Sequence, residues 1–216
     1  QNGGVLMAMG DDHTGESSTT LHQSDFALID SMIPILSPAG VQEILDYGLI
    51  GIAMSRFAGV WVGLKCIKDT IEVTSVINGD PKRLNISKPK IDEPDGGLNI
   101  RLIDLPITQE ERLHNHKKIA VEKFARENNL DHHVHGKSDA KIGFVAAGKN
   151  WLDLAHSMEL LGLDEDECNR IGLKTYKIGM IWPLDMESFT DWSKGLDLII
   201  VVEEKRKILE PQIKEA

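Results

Sequence analysis

The residues best placed to do chemistry are gathered in one polar stretch, Gly10-Asp11-Asp12-His13-Thr14-Gly15-Glu16-Ser17-Ser18-Thr19-Thr20, directly after the apolar run Val5-Leu6-Met7-Ala8-Met9. Two glycines and a run of hydroxyls offer backbone and side-chain donors to an anionic ligand, with Asp11, Asp12, His13 and Glu16 crowded beside them. A solvated surface loop would share this composition. Length favours the ligand-binding reading, because a long stretch without structure inside a compact domain is usually functional or disordered. No metal centre is expected from Asp11, Asp12 and His13: neighbours on extended backbone point in different directions, and no further ligand follows at a recognisable spacing. His132, His133 and His135 lie in a polar stretch, and His114 and His116 lie on a charged helix, so all five read as solvated. Ala147-Gly148-Lys149 follows a strand and opens a helix, a place for an anion, but one glycine is too little for a dinucleotide site. Glu203-Glu204-Lys205-Arg206-Lys207 reads as a solvated charged face. No nucleophile elbow, Walker A or dinucleotide fingerprint occurs.

The elements that must carry the polar stretch follow from hydrophobic spacing. Val5–Met9 and Gly59–Cys66 read as strands, the second apolar enough to be buried on both faces as in a parallel sheet. Val41, Ile44, Leu45, Leu49, Ile52, Ala53 and Phe57 recur at helical spacing. Thr108-Gln109-Glu110-Glu111 forms a plausible capping box for a helix running to about Asn129, with Leu113, Ile119, Ala120 and Phe124 along one side. Beyond it, strands at Lys141–Ala146, Leu173–Gly179 and Leu196–Val202 alternate with helices at Trp151–Leu161, Asp185–Lys194 and Lys205–Lys214. That order predicts an α/β fold with a parallel three-layer sheet and right-handed crossovers. In such sheets ligands bind outside the carboxyl ends of the strands, which is where Gly10–Thr20 must lie.

Composition narrows the classes. With 216 residues, 41% hydrophobic and 27% charged, the chain fits one mid-sized or two small domains. The 24 basic against 34 acidic residues give a net charge of −10, which repels a phosphate backbone, so no nucleic-acid partner is expected. No apolar run reaches the ~18–20 residues of a membrane helix, so no membrane is expected either. Cys66 and Cys168 form no disulfide framework, which points to a reducing cytoplasmic setting. Residues 1–78 carry −6, residues 79–138 carry +1 and residues 139–216 carry −5. The middle part includes Lys88-Pro89-Lys90-Ile91-Asp92-Glu93-Pro94-Asp95-Gly96-Gly97, whose prolines and glycines mark a linker. The expected division is therefore 1–78, a linker with a connecting helix over 79–138, and 139–216. A chain opening on a core strand without an initiator methionine reads as cut from something longer.

Three stretches carry a resemblance. Met9–Ser18 followed by His22-Gln23-Ser24-Asp25 resembles the thiamine-dependent 2-oxoacid:ferredoxin oxidoreductases, nearest to the large fused bacterial indolepyruvate enzymes. Pro38–Leu49 and Trp61-Val62-Gly63-Leu64-Lys65-Cys66 with Lys68-Asp69-Thr70 continue it. Gly143–Lys149, Ile181-Trp182-Pro183-Leu184 and Val201–Arg206 resemble the transketolase C-terminal-like domain of that family. The matches span about Leu6–Ile77 and Lys141–Lys214; the Gly-Asp-Asp and Glu-Ser-Ser cluster is specific, the later motifs only to the domain type.

The resemblance implies that residues 1–78 are the later part of a pyrimidine-binding thiamine domain and residues 139–216 a transketolase C-terminal-like domain. It implies oxidative decarboxylation of a 2-oxoacid, indolepyruvate or another aryl 2-oxoacid, with coenzyme A and ferredoxin. The cofactors would be thiamine diphosphate with magnesium and 4Fe–4S clusters, thiamine supplying the carbanion chemistry and the protein placement and electrostatics. Two lone cysteines cannot hold a cubane cluster. The glutamate that activates the aminopyrimidine would lie upstream of Gln1, so no catalytic residue is expected here, and none of the cofactors should be held tightly by these residues alone. Asp11, Asp12, His13, Glu16, Ser17, Ser18, His22 and Gln23 become the cofactor- or substrate-binding candidates. In the related pyruvate enzymes an arginine near the position of His22 grips the substrate carboxylate. Leu21-His22-Gln23-Ser24 lacks it, which fits a larger 2-oxoacid. Further domains of the same polypeptide and a homo-oligomer are expected partners. The other readings are a non-catalytic α/β binding or assembly module and, less well matched, a flavodoxin-like carrier, whose hydroxyl-rich phosphate loop is missing.

Overall fold

A computed structural model describes residues 2–215. The chain builds β1 (Leu6–Asp11), α1 (Asp25–Asp30), β2 (Ile35–Leu36), α2 (Val41–Ala58), β3 (Val62–Ile67) and α3 (Lys68–Ile71). Residues 72–105 have no regular helix or strand, although Leu98 is buried and Ile86 and Ile91 pack against the same core. Then follow α4 (Pro106–Arg112), a π-helical stretch (Leu113–Lys117), α5 (Lys118–Glu127), β4 (His132–His133), β5 (Ile142–Ala147) and α6 (Gly148–Leu160). The chain closes with α7 (Glu165–Ile171), β6 (Leu173–Ile178), β7 (Met180–Trp182), α8 (Met186–Ser193), β8 (Leu198–Val202) and α9 (Leu209–Glu215).

Two four-stranded sheets result, in the orders β1-β3-β2-β7 and β4-β6-β5-β8. β1 and β2 flank β3 in parallel, and β6 and β8 flank β5 in parallel. β3 is buried at nearly every position, as its unbroken apolar character requires of a central parallel strand. α2 covers the first sheet with Tyr47, Ile50, Met54 and Ala58, a three- and four-residue spacing, and meets Val121 and Phe124 of α5 in one core. Gly59, in the left-handed region at φ 66°, ends α2.

One strand runs through both sheets. β6 lies in the second sheet, Gly179 interrupts the ladder, and β7 continues in the first, antiparallel to β2. The Gly179 carbonyl accepts from Ser37 N at 2.8 Å, while Asp131 Oδ1 accepts from Gly179 N at 2.8 Å and Met180 N at 2.9 Å. A Cβ on Gly179 would stand 2.5 Å from Tyr47 Oη and 2.6 Å from the Leu130 carbonyl oxygen. Backbone on one side leaves little room to relax. Gly179→Ala is therefore expected to lower stability by about 3 kcal/mol, read as a lower midpoint in urea with an unchanged slope.

The sheets are α/β as expected, but mixed, since β7 and β4 pair antiparallel. Helix 108–129 is corrected in several ways. Pro106 at the first helical position starts it two residues earlier, which places Thr108 inside the helix and removes its capping role. A π-helical turn interrupts it, it ends at Glu127, and Ile119 is 45% exposed rather than inward. The last helix begins at Leu209, not Lys205: Lys205 has φ 66°, and the Glu203 carboxylate accepts from Ile208, Leu209 and Glu210 N–H groups. The Glu203–Lys207 run is thus not a plain solvated face. α1, α3, α7 and β4 are short and gave no periodic signal.

Candidate functional site

The polar stretch emerges at the carboxyl end of β1, as its position in the sequence requires. Four of its backbone donors are already spent. Asp12 turns inward, and its carboxylate accepts from Gly15 N (2.8 Å), Glu16 N (3.1 Å), Ser17 N (2.6 Å), Ser17 Oγ (3.0 Å) and Ser18 N (2.8 Å). Burial opposes ionisation of Asp12, but these donors outweigh it and hold the carboxyl well below the usual range. The loop therefore binds its own aspartate where an external anion was expected. Asp12→Ala should release the turn, and exchange of the Ser17 and Ser18 amides should quicken by roughly tenfold or more. Unchanged exchange would show that the glycines alone hold it.

Asp11 is buried at 3% exposure, between two clusters. Its Oδ1 accepts from Ser24 N at 2.9 Å, Ser24 Oγ at 2.7 Å and His22 Nδ1 at 3.0 Å. Burial raises the Asp11 pKa, yet His13, Ser24, the Lys65 charge and His22 together keep it well below the ordinary value. On the outer side, a groove of about 340 Å³ is lined by Asp11, Asp12, Ser17, Ser18, His22, Cys66 and Lys68 among others. His22 keeps 56% of its side chain exposed at this groove, and Lys68 pairs with Glu16. Burial pushes the Cys66 thiol up, so it is not an activated nucleophile.

On the inner side, Lys65 lies buried in β3, its ammonium 2.7 Å from Asp25 Oδ2 and 4.0 Å from Asp11 Oδ2. His13 Nδ1 meets Glu204 Oε1 at 2.5 Å, while His13 Nε2 stands 3.9 Å from Asp11 Oδ2. Asp11 and Glu204 both favour the protonated imidazole, and burial opposes it. Gln23 donates to Asp25 Oδ2 at 2.8 Å, and its own oxygen accepts from Arg206 Nε at 3.3 Å. The end of β8 thus reaches over the sheet boundary and fastens β1's loop from behind.

The candidate residues differ in exposure. Glu16, Ser17, Ser18 and His22 are exposed; Asp11, Asp12 and Gln23 are buried, and the His13 side chain is 8% exposed. Asp25, Lys65, Glu204 and Arg206 belong to the arrangement and were not singled out. Lys65 did carry a signal, a lone charge inside an apolar strand. A larger cavity of about 530 Å³ lies by Trp61, Arg112 and Lys117, before the start of β3, away from these groups and from the carboxyl ends where such sheets bind ligands.

Two solved structures share the architecture. A 2-oxoglutarate:ferredoxin oxidoreductase from Magnetococcus marinus with 2-oxoglutarate, coenzyme A and succinyl-CoA bound matches with TM-score 0.62 and 15% identity, over 96% of this chain and 43% of that one. A split-gene transketolase, an inactive β4 tetramer, matches with TM-score 0.52 and 13% identity, over 98% and 52%. At 15% and 13% identity, the likeness is one of fold. In sequence, residues 132–216 match the family model described as indolepyruvate oxidoreductase domain. Indolepyruvate oxidoreductase subunit IorA of Pyrococcus abyssi is 26% identical over 223 residues, covering 99% of this chain and 32% of the relative. The same subunit of Methanothermobacter thermautotrophicus is 24% identical over 221 residues, covering 97% and 32%. The chain spans about a third of the length of these curated relatives.

Proposed function

We propose that these residues form one wall of the reaction chamber of an enzyme that oxidatively decarboxylates an aryl 2-oxoacid. Coenzyme A takes the acyl group, carbon dioxide leaves, and two electrons pass through 4Fe–4S clusters to ferredoxin. The observation that carries this reading is the groove at the carboxyl end of β1 and β3, with the exposed imidazole of His22 at its edge. Its volume sits at the low end of the ~300–1,000 Å³ of small-molecule sites. Of its lining residues only Lys68 is a permanent cation, and Glu16 pairs with it. Asp12 consumes the loop's N–H groups. The groove therefore suits the ring of thiamine and the carbonyl end of a substrate, and not a diphosphate. Thiamine, when bound, would supply the carbanion chemistry. The diphosphate, its magnesium and the activating glutamate are assigned to other parts of the polypeptide or assembly.

On this reading residues 1–78 are the later part of a pyrimidine-binding domain, 79–138 connect, and 139–216 form the transketolase C-terminal-like domain. The last part acts through position: Glu204 and Arg206 hold His13 and Gln23, which supports a structural role for that domain within the enzyme. Among the described residues no helix is long and apolar enough to cross a membrane, and a reducing cytoplasm suits the two free thiols.

The test is anaerobic dye reduction by the intact protein with thiamine diphosphate and magnesium. Indolepyruvate plus coenzyme A should reduce a viologen, and no 2-oxoacid-dependent reduction would overturn the assignment. Micromolar thiamine diphosphate binding to residues 1–216 alone would overturn the placement of the diphosphate contacts elsewhere.

A further inference from the structure

Behind the groove, Asp11, His13 and Asp25 each offer a ligand atom, all within 4.8 Å of one another. Each of the three also carries a buried atom without a hydrogen-bond partner: Asp11 Oδ2, His13 Nε2 and Asp25 Oδ1. Asp25 is fully buried and Asp11 is 3% exposed. Two buried carboxylate oxygens and an imidazole nitrogen left unpaired on three clustered residues are costly unless a cation or donor joins them.

We propose that Asp11, His13 and Asp25 bind a divalent first-row transition ion such as Mn²⁺ or Zn²⁺. The 3.9 Å from His13 Nε2 to Asp11 Oδ2 is too long for a hydrogen bond. A metal holding both atoms would set them about 3–3.5 Å apart, a closure of roughly half an ångström or more. Glu204, 2.5 Å from His13 Nδ1, would keep that nitrogen's proton when a metal displaces the one on Nε2, the carboxylate–histidine arrangement that orients metal ligands. Charge agrees. With His13 neutral, Asp11, Asp25 and Glu204 face one ammonium, Lys65, which leaves two negative charges for a dication to cancel. The other nearby cations are engaged elsewhere, Lys149 with Asp153 and Arg206 with Gln23 and the Phe26 ring. A cavity of about 50 Å³ lined by His13, Lys65 and Glu204 has room for water ligands. The residue set explains why the sequence hid the site: Asp12, the neighbour between two ligands, turns away, and the third ligand comes from α1.

The experiment uses the intact protein, stripped with a chelator and kept free of thiamine, titrated with Mn²⁺ under electron paramagnetic resonance. One Mn²⁺ should bind in the wild type, and saturation should raise Tm by about 5 °C or more. His13→Gln should abolish that equivalent, and Glu204→Gln should weaken it about 10- to 100-fold. Asp25→Asn should do what His13→Gln does, and His13→Gln decides alone if the Asp25 variant does not fold. No metal-dependent Tm shift would mean that water or a protonated His13 satisfies the three atoms, and would overturn the proposal. So would an equal Mn²⁺ equivalent in His13→Gln. Dye reduction is not read, so failure here leaves the proposed reaction standing.

Discussion

His22→Ala in the intact enzyme is expected to lower kcat/KM by roughly 30- to 800-fold while Tm barely moves. The side chain is 56% exposed, and its one strong bond is to Asp11 Oδ1, which Ser24 already satisfies twice. Folding therefore loses little, about 1 kcal/mol or less. A donor to a substrate carboxylate or carbonyl is different, because it acts once substrate is bound and the transition state develops charge. Losing such a contact costs about 2–4 kcal/mol of transition-state stabilisation, which gives the stated range. The bond to Asp11 holds one proton on His22 Nδ1, so Nε2 donates to a substrate oxygen when the imidazole carries its second proton. If His22 only packs the loop, the variant will melt earlier with kcat/KM unchanged, and the steady-state assay with calorimetry separates the two.

The second large effect concerns Asp131. Burial pushes its carboxyl up to about 7 from 3.8, against the pull of the Met180 and Gly179 N–H groups; Asp185 also raises it. Because the folded pKa exceeds the unfolded one, the native state holds a proton that the unfolded chain has released between pH 3.8 and about 7. Stability from this group is complete below that window and is lost as pH rises through it. Asp131→Asn keeps an oxygen for Gly179 and Met180 and puts an amide where Oδ2 has no partner. The variant should match the wild type near pH 4 and exceed it at pH 8 by on the order of 4 kcal/mol at most. Urea midpoints measured from pH 4 to 8 check it; parallel curves for the two proteins would rule it out. Tyr47 and Tyr176, which feel the Asp131 charge, stay protonated throughout that range.

Local signals carried much of this architecture. The apolar runs of β3 and β5 and the α2 spacing read correctly because burial on one or both faces writes itself into hydrophobic periodicity. Short elements such as α1 and β4 have too few residues for a period. The antiparallel pairing of β7 with β2 joins residues about 145 apart, and no local pattern encodes it. At the site, the loop's position followed from the order of the elements. The inward turn of Asp12 did not, since an aspartate that caps its own loop and one that greets a ligand look alike in a sequence. Glu204 and Arg206 were read as a solvated run because their partners, His13 and Gln23, lie at the other end of the chain.

The strand that passes from one sheet into the other leaves the chain without a hinge. Domain closure between the two halves would have to unzip β7 from β2 or bend the backbone at Gly179, where Tyr47 and Leu130 crowd it. Any opening and closing of the groove would thus come from whatever faces it. The same continuity means heat should not release one half before the other, and calorimetry on these residues should show a single transition.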